Sequence, residues 1–184
     1  MTTPDSVTGL QPGDIAPGFT LTATNGERFS LPAAGEVPAS VVIWTCNHCP
    51  YAIGWHERLI ELARDYRERG VAFFLINSND SDRYPGDSPE AMRTRVENDG
   101  GWPAPYLHDA TQEVARAYGA LTTPDVYVID TEGKVAYRGA PDGDYQDDSQ
   151  NAAWVREALD AVLSGQVPAR QLTKPVGCSI KWKE

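Results

Sequence analysis

Short apolar runs alternate with stretches of helical period along the chain, and the change of period sets the element order. Over 19–31, FTLTATNGERFSL alternates apolar and polar residues on both sides of Asn25-Gly26, which predicts a β-hairpin. A loop is expected over 32–38. Over 40–45, SVVIWT is a continuous β-branched apolar run, the pattern of a strand covered on both faces. From 51 to 69 the period becomes helical. Ala52, Trp55, Leu59, Leu62 and Tyr66 form one stripe, with Glu57, Arg58, Glu61, Arg64 and Asp65 off it. Gly70 stops that helix, and 71–76 reads as a second buried strand. A long polar loop is expected over 77–87. Ser88-Pro89-Glu90 then supplies an N-cap, a first-turn proline and an early acid for a helix to residue 98. Gly100-Gly101-Trp102-Pro103 breaks it. A short strand over 106–108 follows, then a helix over 111–118 with Asp109 and Gln112 spaced as a capping box and Gly119 as its stop. Strands over 125–130 and 134–138, joined at Glu132-Gly133, and an amphipathic helix over 151–163 complete the order.

Strands alternating with helices predict an α/β domain with a mixed central sheet. The expected organisation is a polar tail over 1–12, one domain over 13–165, and a C-terminal tail over 166–184 that packs on it. No repeat or low-complexity tract interrupts this. At 184 residues, 41% hydrophobic and 23% charged, the chain is long enough to bury a core without staples. A mean hydropathy of -0.43 and the lack of any long apolar run exclude a membrane-spanning helix. The net charge of -10 repels nucleic acid and anionic membrane surfaces. The opening MTTPDSVTGL has neither a basic start nor an apolar run, so a cytoplasmic, reducing compartment is expected.

Three cysteines, Cys46, Cys49 and Cys178, are too few for a disulfide scaffold. Two of them form a C-x-x-C where a buried strand turns into a helix. A thiolate there faces unpaired N–H groups and the positive end of the helix dipole. Two intervening residues let one sulfur resolve a mixed disulfide formed by the other. Cys46 is expected to be the more exposed, acidic and attacking thiol, and Cys49 the resolving one. His48, as imidazolium, would stabilise the Cys46 thiolate; otherwise it is a solvated loop histidine. Thr123-Pro124 opens the strand over 125–130 and would lie beside the C-x-x-C turn. A cis proline there exposes backbone groups that can pair with an extended substrate chain.

Cys178 reads either as a third redox thiol, bonding to Cys46 or Cys49, or as a small buried apolar residue. Lys181 and Lys183 would add positive potential if the tail docks near the thiols. Trp44 and Trp55 flank the C-x-x-C and could line a substrate contact. His56 and His108 read as structural or solvated. A zinc site built from Cys46, Cys49, Cys178 and a histidine is the metal alternative, without a second cysteine pair to support it. Asp142, Asp144, Asp147 and Asp148 lack the spacing of a calcium loop and read as a solvated connection.

Strand–C-x-x-C–helix, followed by Thr-Pro before a β-hairpin, resembles the thioredoxin-like superfamily. Gly13-Asp14-Ile15-Ala16-Pro17-Gly18-Phe19-Thr20-Leu21 resembles the opening of its redoxin branch. That branch holds the alkyl hydroperoxide reductase/thiol-specific antioxidant (AhpC/TSA) proteins and the TlpA-like thiol reductases. TCNHCP, INSND, YPGDSPEAM, TPDVYVID and GCSIKWK together resemble a set of bacterial thioredoxin-like proteins. The resemblance implies a three-layer α/β/α thioredoxin fold with an N-terminal β-hairpin extension. It implies Cys46 as nucleophile, Cys49 as resolving cysteine and Pro124 as the cis-proline opposite them. It also puts His48 where strongly oxidising relatives carry histidine, and makes 77–87 the insertion of peroxiredoxin-like members.

Two departures stand out. Ser40 occupies the place of the buried aspartate that assists proton transfer in thioredoxins, so the base that activates Cys49 is unassigned. Thr45 directly precedes Cys46, whereas peroxidatic motifs place a threonine three residues before the cysteine. The expected activity is a thiol–disulfide oxidoreductase without a cofactor, acting on protein or small-molecule thiols and disulfides and drawing on a separate reductant. A peroxiredoxin-like antioxidant peroxidase, a metal-binding module and a redox-inactive adaptor on the same fold are the alternatives.

Overall fold

The computed structural model of the chain describes residues 8–184. Most of the tail expected over 1–12, namely residues 1–7, lies outside the described residues. Strand β3, Ala39–Trp44, is buried along its whole length. It runs parallel to β4, Ala72–Asn77, and antiparallel to β7, Asp125–Asp130. Successive side chains of a strand point to opposite faces, and these three strands obey that period together. Val41, Ile43, Phe73, Leu75, Val126 and Val128 face one apolar layer. Val42, Trp44, Phe74, Ile76, Tyr127 and Ile129 face the other. A run with no polar position is therefore what a strand covered on both sides needs.

Helix α1, Pro50–Arg67, brings Trp55, Leu59 and Leu62 to the first face. Helix α2, Pro89–Asn98, adds Met92 there, and α4, Ala153–Leu163, adds Val155 and Leu159. The second face is covered by α3, Glu113–Tyr118, through Ala115 and Tyr118, together with Phe19 and Ile180 from the two ends of the chain. The N-terminal hairpin consists of β1, Thr20–Ala23, and β2, Arg28–Ser30. Its turn passes through Gly26 at φ 84°, a left-handed conformation that glycine adopts without strain. Strands β5, Tyr106–His108, and β8, Val135–Gly139, complete a seven-stranded mixed sheet of order β2-β1-β5-β4-β3-β7-β8. The β3-α1-β4 unit beside the β7-β8 hairpin, with helices on both faces, is the thioredoxin fold. A separate two-stranded ribbon pairs β6, Thr122–Thr123, with β9, Cys178–Ser179.

Three sequence expectations are corrected. The segment over 77–87 is polar but only partly solvated: Asn77, Ser78, Asn79, Asp80 and Asp87 are buried, residues 82–85 are exposed, and Pro85–Asp87 forms a single 3-10 turn. Asp142 is buried as well. It accepts from Trp55 Nε1 at 2.7 Å, from Arg58 at 2.8 and 2.9 Å and from the Ala152 N–H at 2.9 Å. It thereby ties α1 to the start of α4, where Asn151 and Ala152 are left-handed and the helix begins only at Ala153. Gln112 does not close a capping box with Asp109: it is itself the N-cap of α3, and its side chain makes no cap bond. Its φ is 64°, and Asp109 instead accepts from the Ala115 N–H at 3.0 Å.

Candidate active site

The end of β3 delivers the C-x-x-C to the edge of the sheet. Thr45 is buried, and its N–H donates to the Ile76 carbonyl at 2.9 Å, so the parallel pairing runs up to the cysteine. The turn that follows is pinned from one side. Asn47 donates its N–H to Asp87 Oδ1 at 2.7 Å and its amide to the Gly86 carbonyl at 2.8 Å. Its own Oδ1 accepts from Tyr106 at 2.8 Å and Arg95 at 3.3 Å, and Arg95 also donates to the Cys46 carbonyl at 2.9 Å. Asp87 is held in turn by Asn77 Nδ2 and Asn79 Nδ2, each at 3.0 Å. A charge-assisted network of this kind positions backbone more firmly than neutral hydrogen bonds do.

On the other side stands Thr123, whose peptide bond to Pro124 is cis. Cys46 Sγ lies 3.4 Å from Thr123 Oγ1, and Cys49 Sγ donates to the Thr123 carbonyl at 3.2 Å. All three cysteines are free. Cys178 packs on the small cluster of Cys46, Cys49 and Ala52. A cavity of about 490 Å³ opens in front of the sulfurs, lined among others by His48, Arg83, Asp87 and Lys181. His48 is exposed on its rim, where a Cβ on Gly86 would overlap its imidazole.

The expectation that Cys46 is the exposed, acidic thiol meets two differences. Cys46 and Cys49 are equally buried, at 3% and 4% exposure. The helix also begins at Pro50, one residue after Cys49, so Cys49 is its N-cap. The orphan N–H groups of the first turn therefore face Cys49. A hydrogen bond from the Cys46 thiol, and further ones from Cys178 and the Ala52 N–H, hold Cys49 down to about 4. Cys46 is pushed up, because its thiol hydrogen-bonds to Cys49, is buried and faces the Asp87 charge. In the fully protonated pair Cys49 donates to Thr123; once ionised it becomes an acceptor.

Other positions fall as follows. Trp44 and Trp55 are fully buried and line no surface. Lys181 reaches the cavity, whereas the charge of Lys183 acts on His108. His56 is buried beside Asp99 at 3.6 Å. Ser40 is buried without a carboxylate in its place, and the acid whose charge acts on Cys46 is Asp87. Sequence reasoning missed Asp87, Asn47, Tyr106 and Arg95, because their pairing joins distant parts of the chain and no local pattern marks it. Among the described residues, no group of three or more His, Cys, Asp and Glu side chains is arranged to hold a metal ion. No described helix is long and apolar enough to cross a membrane.

Comparison with known proteins matches the AhpC/TSA family model to residues 12–138. The fold is similar to that of a conserved protein from Geobacillus kaustophilus, at 39% identity and a TM-score of 0.88, covering 100% of this chain and 98% of that one. It is similar to the protein SMc02350 from Sinorhizobium meliloti 1021, at 35% identity and a TM-score of 0.89, covering 96% and 97%. It is also similar to a thiol-disulfide oxidoreductase from Bacteroides fragilis, at 25% identity and a TM-score of 0.55, covering 72% and 93%. No curated protein matches the sequence.

Proposed function

The chain belongs to the AhpC/TSA family of thioredoxin-like redox proteins, and from that premise we propose that it is a thiol–disulfide oxidoreductase in which Cys46 and Cys49 alternate between dithiol and disulfide. The observation that carries this reading is the sulfur pair at the mouth of α1, with Cys49 as the helix N-cap and Thr123 against both sulfurs. N–H donors and a neighbouring S–H favour the thiolate form of Cys49, and the thiolate is the species that attacks disulfides.

Cys49 attacks a substrate disulfide and forms a mixed disulfide, and one half of the substrate leaves as thiolate. Cys46 then gives up its proton and attacks Cys49, closing the Cys46–Cys49 bond and releasing the other half. Thr123 Oγ1, 3.4 Å from Cys46, is placed to donate to the ionising sulfur. His48, on the rim, is the cation available to an incoming thiolate. The similarity to a thiol-disulfide oxidoreductase supports thiols and disulfides as the substrate class. A reducing cytoplasm and a separate reductant complete the reading, with residues 13–165 as the working domain.

Turnover of a small disulfide such as oxidised hydroxyethyl disulfide, with glutathione as reductant, tests it. Wild type turns over, and Cys49→Ser does not. Full turnover in the double Cys46→Ser/Cys49→Ser variant overturns the reading. Family membership also favours a second activity, reduction of hydroperoxides by the same thiolate, for which peroxide consumption lost in Cys49→Ser is the corresponding test.

A further inference from the structure

The edge beside a cis-proline is where an extended partner chain would pair with this fold, and here the chain's own C-terminus fills it. Strand β9 runs antiparallel to β6 with Thr123 opposite Cys178 and Thr122 opposite Ser179. The approach is close: a Cβ on Gly177 would overlap the Thr123 carbonyl. The segment is anchored beyond the cysteine. Ile180 is buried and donates its N–H to the Leu121 carbonyl at 2.9 Å. Lys181 donates its N–H to Asn79 Oδ1 at 2.8 Å and accepts at its carbonyl from Asp80 at 2.8 Å and from Gln112 Nε2 at 2.9 Å. The Arg116 guanidinium lies 4.6 Å over the Trp182 ring.

Cys178 is consequently held where the cysteine of a bound partner strand would sit, packed on the Cys46/Cys49 cluster. It is also the sulfur that remains partly exposed, while the other two are buried. We propose that Cys178 is a third exchange thiol, the one through which the buried Cys46/Cys49 pair trades with low-molecular-weight thiols that enter the cavity. This rests on the dithiol reading above.

In the oxidised protein the Cys178 thiolate attacks Cys49 Sγ. The Cys49–Cys178 bond forms as the Cys46–Cys49 bond breaks, and Cys46 leaves as thiolate and takes up the proton that Cys178 lost. No electron is gained or lost in that exchange. An external thiolate then attacks Cys178, releases Cys49 and leaves a mixed disulfide on Cys178. A second external thiol removes it as a small-molecule disulfide. Two external thiols are oxidised and one protein disulfide is reduced. Cys178 is pushed up to about 11 by burial and by its hydrogen bond to Cys49 and the charge there. The last two causes vanish when Cys49 is in a disulfide, and Lys181 then favours the Cys178 thiolate.

Two variants separate this proposal from the reading beneath it. Each is treated with diamide, and its disulfides are mapped by mass spectrometry. In Cys46→Ser, a Cys49–Cys178 bond is expected, and its absence while Cys49 and Cys178 stay free overturns the proposal. In Cys178→Ser, a Cys46–Cys49 bond is expected, and its absence overturns the dithiol reading instead. Gly177→Ala is the geometric control, because the added methyl pushes β9 off Thr123. Loss of the Cys49–Cys178 bond in Cys46→Ser/Gly177→Ala supports the strand-borne placement; retention at the full Cys46→Ser yield contradicts it.

Discussion

Asp87→Asn separates the two tasks of a buried carboxylate, because stability and thiol acidity respond in opposite directions. Asp87 is 3% exposed and accepts three hydrogen bonds, from the Asn47 N–H at 2.7 Å and from Asn77 and Asn79 at 3.0 Å each. An asparagine keeps the shape, but its amide nitrogen must replace one oxygen and face a donor. The oxygen toward Asn79 is the one to lose, since the other already serves two donors. One charge-assisted bond, worth about 1.5–3 kcal/mol net, disappears, and the other two fall to neutral strength. Relief of a buried charge offsets part of this, which leaves about 2–4 kcal/mol of destabilisation. For a chain of this size that lowers Tm by about 4–16 °C.

The sulfur responds the other way. The Asp87 charge raises Cys46, so its removal makes that thiol more acidic. Differential scanning calorimetry reads the first effect. Iodoacetamide alkylation against pH, with Cys46 resolved by peptide mapping, reads the second. A variant with unchanged Tm, or one in which the alkylation profile of Cys46 moves to higher pH, refutes the assignment of Asp87 as the acid that organises this turn.

Other consequences follow from buried groups away from the sulfurs. Arg138, 1% exposed, pairs with the fully buried Asp125 at 3.0 Å and donates to the carbonyls of Gly119 at 3.0 Å and of Leu10 and Thr8. Arg138→Leu strands the carboxylate and costs about 3–5 kcal/mol in urea denaturation, most of which Arg138→Leu/Asp125→Leu recovers; equal loss in both variants contradicts this. His56 is lowered to about 4, first by burial and then by the Arg95 charge. The unfolded chain protonates this histidine near the ordinary histidine value of 6.5 while the folded one resists. Stability is therefore fully present above that value and is lost as pH falls toward 4, at up to about 1.4 kcal/mol per pH unit. In His56→Gln that part of the slope vanishes from a urea series across the same window; an unchanged slope assigns it to the carboxylates.

The sheet was legible because its central strands carry an uninterrupted apolar pattern, and the 40–45 and 71–76 runs differ from β3 and β4 by one residue at each end. Strand β5 and the 125–130 strand coincide with expectation. Ser88 caps α2 as its spacing implied, accepting from the Ala91 N–H at 3.1 Å. What local pattern could not carry was long-range polar pairing. Asp87 and Asp142 look like loop acids until Asn47, Arg58 and Trp55 arrive from distant parts of the chain. Gln112 has capping spacing but spends its amide on the Ser78 carbonyl and the C-terminal segment. The acidity of the pair depended on which sulfur takes the N-cap, which no local pattern marks: the helix begins at Pro50, and the orphan N–H groups of its first turn face Cys49.

Equilibration of the reduced protein in glutathione buffers of graded potential, followed by acid quench, alkylation and peptide mapping, tests the central claim most directly. The account predicts that Cys46 and Cys49 lose alkylation together in one two-electron transition, as a pair closing on itself does. If both sulfurs remain alkylated at every potential, or if Cys49 is oxidised while Cys46 stays free and no bond joins them to each other, the dithiol couple is contradicted.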